Sequence, residues 1–358
     1  MRGVKKFGPA FAQETTIPLC EAGVHTCKPG RETEISKESV KMAIANDITH
    51  TNTRRFRSFI RYITWPVLMI ACVWMIHLGI SKDQPIIYFN ITYFSLALII
   101  CVLERIMPHE ECWLKSDGQI VADLGHTVLS KIPAQIWAGL IILGILEVAG
   151  NDGGVLWPKS WHPAIQVIFG LLVAEFGLYW AHRFAHQWPF LWRFHAVHHS
   201  VVRLWFVNTG RFHIMDAMVS ISLGQAMLLI AGAPEFVMLW TAMLTPFIGF
   251  LTHCNIDMRF GLLSYIFNTP ELHRWHHSRS KEEGNTNYGE NFMLWDQLFG
   301  TFFNPPRRPS PNIGIGDFMP QSFWGQLKCP FVWDRQQAET HNNEASSMNN
   351  LAAKKPKI

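Results

Sequence analysis

Six long apolar stretches limit what this chain can fold into. They cover approximately residues 59–80, 85–106, 132–150, 163–181, 214–231 and 234–252. A helix that crosses a bilayer needs about 20 mostly apolar residues. In hydrocarbon a segment must satisfy its own backbone, which for single stretches of this length means helix. The expected fold is therefore an all-α membrane protein. It is a bundle of four to six transmembrane helices arranged as hairpins, with a cytoplasmic helical cap. The last two stretches are separated only by Gly232-Ala233-Pro234. They serve equally as full spans or as a deep hairpin, because either form returns the chain to its starting side. Only 16% of the residues are charged, below the usual quarter of a soluble domain.

The organisation expected from these stretches is a polar, largely disordered arm (1–53), a membrane hairpin (54–122), a domain carrying the chemistry (123–331) and a disordered tail (332–358). The net charge of +4 is small and scattered, which gives no case for nucleic acid as a partner. The seven cysteines form no C-x-x-C pair and read as reduced thiols. Arg54, Arg55, Arg57 and Arg61 crowd the entrance to the first stretch. The positive-inside rule then places the N-terminus in the cytoplasm. Trp157 and Trp161 fit an aromatic belt on the opposite side. The expected location is a multi-pass integral membrane protein of a bacterial inner membrane or of the endoplasmic reticulum.

This topology sorts the histidines. His182 and His186 form one cluster, His195, His198 and His199 a second, and His273, His276 and His277 a third. All three fall on the cytoplasmic side, with His126, His213 and His253. His77 and His162 fall on the other side and are excluded as ligands. Positions i, i+3 and i+4 share a helix face, so each cluster presents its imidazoles together. Eight imidazoles suffice for two metal ions. A lone histidine is more often a hydrogen-bonded core or surface residue, but that account fits poorly for the whole set. On ligand type alone Zn, Fe, Cu and Ni are equally suited. A single-zinc H-E-x-x-H hydrolase is disfavoured because Arg183 stands where the glutamate belongs.

The pattern H-x3-H, H-x2-H-H and a later H-x2-H-H on membrane hairpins resembles the fatty acid hydroxylase/sterol desaturase superfamily. The flanking residues agree: Tyr179-Trp180-Ala181-His182-Arg183, Trp192-Arg193-Phe194-His195, Thr269-Pro270-Glu271-Leu272-His273, Asn287-Tyr288-Gly289 and Trp295-Asp296-Gln297-Leu298-Phe299-Gly300-Thr301. The resemblance covers roughly 124–331. It implies two non-haem iron ions held by the eight clustered histidines, dioxygen as co-substrate, and attack on an alkyl C–H bond of a membrane lipid. His253, then His126, then His213 are the further ligands it suggests. A fatty acyl chain, sterol, ether lipid or amino-acid lipid would all suit, and hydroxylation and desaturation stay open as outcomes.

Three more residues are expected to serve the site. Glu175 lies two helical turns before His182, and an intramembrane acid is a functional hypothesis by default. It would line a substrate or proton path or anchor a ligand histidine. Asn255 would be a ligand or would hold one. Asp296, with Asp123 and Asp216, would orient ligand imidazoles. Some of Arg183, Arg193, Arg203, Arg211 and Arg274 would meet lipid phosphate or an acidic electron donor. The chain shows no His-Pro-Gly-Gly, C-x-x-C-H or Gly-rich dinucleotide motif. The implied donor is therefore a separate ferredoxin or a small cytochrome with its reductase. The competing class is a metal-binding or transport membrane protein without oxidase chemistry. A transporter needs polar groups along a path through the bilayer, and Glu175 is the one clear intramembrane acid.

Overall fold

The computed structural model describes residues 37–149 and 154–340. Among these, every regular element is helical, and β-pairing is confined to isolated bridges such as Pro108 with Ile256. Helix α1 (Lys37–Ser81) leads into α2 (Pro85–Ile106). Then α3 (Ile120–His126) continues through a π-helical turn, Thr127–Lys131, into α4 (Ile132–Ala149). The sequence placed this helix from 132 onward. Its first turns escaped because His126, Ser130 and Lys131 interrupt the apolar run, yet His126 and Ser130 are buried inward.

Prolines punctuate the next elements. Helix α5 (Pro163–Gln187) starts on a proline and stops just before another, Pro189, which opens α6 (Pro189–His199). Helix α7 (Ile214–Ala231) ends at Gly232, whose φ of +69° suits a residue without a side chain. Helix α8 (Glu235–His253) follows. The short helices α9 (Pro270–His276), α10 (Lys281–Gly284), α11 (Leu294–Leu298) and α12 (Phe323–Lys328) form the cap.

Six helices among the described residues are long and apolar enough to cross a bilayer. This is a multi-pass membrane protein. Within these spans 61% of the α8 window and 50% of the α5 window are buried, against 17% for α2. Helices α5 and α8 are thus the axis of the bundle, and α2 offers most of its surface to lipid. Helix α5 touches α7 backbone to backbone at Gly177, where a Cβ would fall 2.3 Å from the Leu223 carbonyl oxygen. Small residues permit such close approach in membranes.

Several chain ends meet at one end of the bundle. Glu104, near the end of α2, accepts the backbone N–H groups of Phe206 and Asn255, each at 2.9 Å. Arg61 of α1 pairs with Asp257 at 2.6 Å. That end also holds the last turns of α5 and α8. Trp157 departs from expectation. It is buried, donating to Gln166 Oε1 at 2.7 Å, while Trp161 remains exposed. The expected N-terminal arm lies outside the described residues as far as 36, and from Lys37 its backbone is helical. Of the expected tail, residues 333–340 are helical and the remainder lies outside the described residues.

Candidate metal centre

Nine histidines converge on two adjacent points. One group is His182, His186, His195, His199 and His276; the other is His198, His253, His273 and His277. Within each group the ligand atoms lie within 4.8 Å of one another. The two H-x2-H-H clusters do not each serve one point. In α6 the i, i+4 pair His195 and His199 enters the first group, and His198 turns to the second. Around α9 the i, i+4 pair His273 and His277 enters the second group, and His276 turns to the first. Adjacent helical residues point 100° apart, so neighbouring histidines diverge and each cluster spans both points.

The protonation pattern tests whether these residues suit metal. Nδ1 of His182 faces the Tyr288 carbonyl at 2.7 Å, and Nδ1 of His276 faces the Thr286 carbonyl at 2.8 Å. Nδ1 of His195 faces Asp216 Oδ2 at 2.9 Å, and Nδ1 of His198 faces the Arg211 carbonyl at 3.3 Å. His186 and His253 turn Nδ1 to the Oδ1 atoms of Asn285 and Asn208. A nitrogen facing an acceptor carries the proton, which leaves Nε2 as a bare lone pair. Those Nε2 atoms crowd inward: His186 to His199 at 3.0 Å, His195 to His199 at 3.1 Å, His198 to His277 at 3.1 Å and His253 to His273 at 2.8 Å. His199, His273 and His277 have too few protons to bridge all these contacts. The Nε2 atoms of His182 and His276 are buried with no hydrogen-bond partner. Lone pairs this close call for cations among them, and the donor set fits two.

Electrostatics points the same way. Burial, followed by the neighbouring imidazoles, holds His198, His199, His273, His276 and His277 well below the ordinary histidine range. They are neutral at pH 7, the form in which imidazole binds metal.

The loop 285–291 orients most of the first group, supplying Asn285, Thr286 and Tyr288 as acceptors. Two carboxylates staple this loop. Glu175 accepts the N–H of Glu290, the N–H of Asn291 at 3.0 Å and the Asn291 amide at 2.7 Å. Asp296 accepts the N–H groups of Tyr288 and Gly289, each at 2.8 Å, and the Thr301 hydroxyl at 2.7 Å. Asn287 adopts φ +54°, and its amide spans Leu272 and Phe303. Sequence reasoning quoted Asn287, Tyr288 and Gly289 but gave none of 285–288 a role. The available signal was the Asn-Thr-Asn-Tyr-Gly run, a turn composition directly after Gly284.

Segment 203–213 does the same for the second group. Arg211, fully buried, donates to Asp123 Oδ1 at 3.0 Å, Val197 O at 3.2 Å and Ser200 Oγ at 3.0 Å, which fixes the carbonyl that holds His198. Asn208 donates to Arg203 O at 2.7 Å. Arg211 and Arg274 are therefore committed inside the protein and are closed to lipid phosphate or a donor. Arg203 pairs with Asp117 and Arg193 with Asp334.

Three expected residues lie outside both groups. His126 has Nδ1 against Phe212 O at 3.0 Å and Nε2 against Gln326 Oε1 at 3.0 Å. His213 caps α7 by accepting the Met215 N–H, and its Nε2 donates to Leu327 O at 3.2 Å. His213 has thus spent both nitrogens, and both His126 nitrogens are turned to protein oxygens away from either histidine group. Asn255 exchanges two bonds of 2.9 Å with the Glu110 backbone and clamps the loop after α2. Asp216, expected to orient a ligand imidazole, does lie against His195.

Comparison with known proteins names the class. The family model described as fatty acid hydroxylase matches residues 167–301, which include all nine gathered histidines and all three clusters. The ornithine lipid hydroxylase OlsE of Rhizobium tropici is 46% identical over 78% of this chain and 86% of the relative. The chain belongs to the fatty acid hydroxylase family and is an oxidoreductase that acts on membrane lipid. Alkylglycerol monooxygenases of Danio rerio (28% identical, 62% of this chain, 51% of the relative) and Homo sapiens (27%, 59% and 46%) are also similar. The chain spans about half the length of those two. No solved structure matches.

Proposed function

We propose that this protein is a diiron monooxygenase that hydroxylates an amino-acid-containing membrane lipid of the ornithine lipid kind. The observation that carries the reading is the gathering of nine buried or half-buried imidazoles into groups of five and four with their lone pairs inward. The similarity to an ornithine lipid hydroxylase supports the substrate class. Two iron ions, when bound, would supply the redox chemistry that uses dioxygen to oxidise an alkyl C–H bond; zinc has no redox chemistry.

The protein's own residues do the rest. Loop 285–291 and segment 203–213 fix the imidazole tautomers, and Asp216 holds His195. Half-buried aromatic rings help to shield the centre from water: Phe212 stacks on His198 at 4.1 Å, and Trp192 packs on His186 at 5.4 Å. Hydroxylation is favoured over desaturation because the relatives are named hydroxylase and monooxygenase. Glu175 speaks against transport, since its carboxylate is occupied by a loop and does not line an open path. The centre faces the cytoplasm in this reading. Arg61 of the arginine-rich entrance to α1 meets Asp257 at the histidine end, and such cations favour the cytoplasmic side. Electrons come from a separate ferredoxin or a small cytochrome with its reductase.

The test is expression in a host that makes ornithine lipid, with lipids compared by mass spectrometry. The expected result is a species one oxygen atom heavier that disappears in His198→Ala and His276→Ala. Its persistence in either variant removes this protein as its source. Purified protein that takes up zinc but no iron under any loading condition would also overturn the reading.

A further inference from the structure

Five arginines stand around the histidine clusters, and four of them are accounted for. Arg211 pairs with Asp123, Arg203 with Asp117 and Arg193 with Asp334, and Arg274 donates to the carbonyls of Cys254 and Ile256. Arg183 is the exception. Its hydrogen bond goes to a phenol, and among the described residues it has no carboxylate partner. It stands half-buried near the end of α5, directly after His182 and three residues before His186. A cation at the end of a membrane span is expensive unless an anion meets it.

The guanidinium is nevertheless held in place. Its Nη1 donates to the Tyr179 hydroxyl at 2.9 Å. That hydroxyl has already given up its own hydrogen: Thr301 donates to Asp296 at 2.7 Å, so the Thr301 oxygen accepts from Tyr179 at 3.0 Å. Asp296 also holds the N–H of Tyr288, whose carbonyl faces His182. An unbroken chain of hydrogen bonds thus ties Arg183 to the loop that orients the first group. Its Cζ lies 5.3 Å from the Trp180 ring centroid and 6.0 Å from that of Tyr179, a cation–π bed. What remains is the other edge, where the N–H bonds of Nε and Nη2 run side by side. Nε is buried without a partner, and Nη2 has none among the described residues. Two parallel N–H bonds on a planar cation match the two oxygens of a carboxylate. Arg183 is only half-buried, so a headgroup reaches this edge from the bilayer interface and needs no enclosed cavity. Deeper along α5, Trp180 and Phe176 continue toward the bilayer interior, both half-buried and 6.4 Å apart. A lipid with its head at Arg183 lays its chains beside them.

We propose that Arg183 binds the carboxylate of an amino-acid lipid side-on through Nε and Nη2, and so sets the headgroup beside the first histidine group. The rings of Tyr179 and Tyr288, 6.0 Å apart, lead from the guanidinium to that group, with Tyr288 against His182 at 5.7 Å and His186 at 5.2 Å. This deepens the proposed function, which supplies the substrate class, by naming the side chain that recognises it.

The test is binding of lipids to the full chain, free of metal, in phosphatidylcholine nanodiscs and read by native mass spectrometry. The probes are ornithine lipid, its carboxyl methyl ester and phosphatidylglycerol. The wild type should prefer ornithine lipid over its ester by about tenfold or more, as a charge-assisted bidentate pair allows. Arg183→Gln should bind the two alike. A wild type that binds free acid and ester equally overturns the proposal without recourse to any variant. So does Arg183→Gln if it keeps the preference. Phosphatidylglycerol bound by the wild type as tightly as ornithine lipid would make Arg183 a general anchor for lipid phosphate and remove it from substrate recognition. Turnover by the iron-loaded protein separates this proposal from the function it rests on. Equal oxidation of ornithine lipid and its ester would uphold the monooxygenase and remove the carboxylate anchor. A binding preference that vanishes in Arg183→Gln, with no oxygenated product from any lipid in the wild type, would uphold the anchor and count against the monooxygenase.

Discussion

The two histidine groups are built from the same motif used twice, and they differ in how they are held. The first has five imidazoles, one of them, His186, only half-buried and tied to Asn285. Its orienting acceptors come largely from one loop, stapled by Glu175 and Asp296. The second has four imidazoles, all buried, and the Nδ1 atoms of His273 and His277 have no partner. Its support comes from Asn208 and from Arg211 on Asp123. One point thus has a spare ligand and an accessible edge, and the other has neither. The first group is built to exchange a ligand, and the second to keep its ion.

The largest effect should come from removing one ligand on each side. His253→Ala leaves three imidazoles at the second point, and His186→Ala leaves four at the first. Metal content measured on purified protein should fall from about two ions per chain to about one in His253→Ala, because an incomplete set gives up most of its binding energy. His186→Ala should keep close to both ions. Equal losses would break the comparison.

Next in size are the orienting groups. Asp216→Asn should weaken metal at the first point by about 10–100-fold, the usual consequence of removing a ligand's outer partner. Asp296→Ala should do so as well, and should also lower the unfolding midpoint. It strips acceptors from Tyr288 N–H, Gly289 N–H and Thr301, and each buried group left unpaired costs about 1–3 kcal/mol. The second point should hold its ion in both variants. Metal competition titrations with a chelator resolve the two affinities.

Acid should act on both points in the metal-free protein. His198, His199, His273, His276 and His277 have folded values depressed below 6.5. In the unfolded chain they take up protons near 6.5, while the folded protein refuses them. The unfolded state therefore binds more protons below that value, and stability falls with pH. The stabilisation is complete above about pH 6.5 and is lost progressively as pH drops toward the folded values. Thermal unfolding of chelator-treated protein between pH 8 and pH 5 should show the midpoint falling, most steeply below about 6.5. A flat profile would mean the imidazoles are protonated when folded.

The helices and the clusters could be read in the sequence because apolar length and i, i+3, i+4 spacing are local properties. His182, His195 and His273 announce themselves by their neighbours. The division into five and four did not show, since it depends on which way α6 and α9 face each other, a tertiary relation. Likewise the roles of Asn285, Thr286 and Tyr288 reside largely in backbone carbonyls and a turn, which any residue type supplies. Lys131 looked like an interruption of an apolar run, and the π turn that hides it leaves no clear mark in the residue pattern.

The smallest effect is expected at a histidine that shares the sequence pattern but not the centre. His213 sits beside the second group's segment, yet its Nδ1 accepts the Met215 N–H and its Nε2 meets Leu327 O. Its work is at the first turn of α7, where a lost cap costs about 0.5–2 kcal/mol. His213→Asn, which can still cap, should therefore be milder than His213→Ala. Both should leave two metal ions bound and oxidation near the wild-type rate, while the unfolding midpoint drops slightly in the alanine variant. A metal ion lost from either variant would draw His213 into the centre and give the second point the fifth ligand that distinguishes the first.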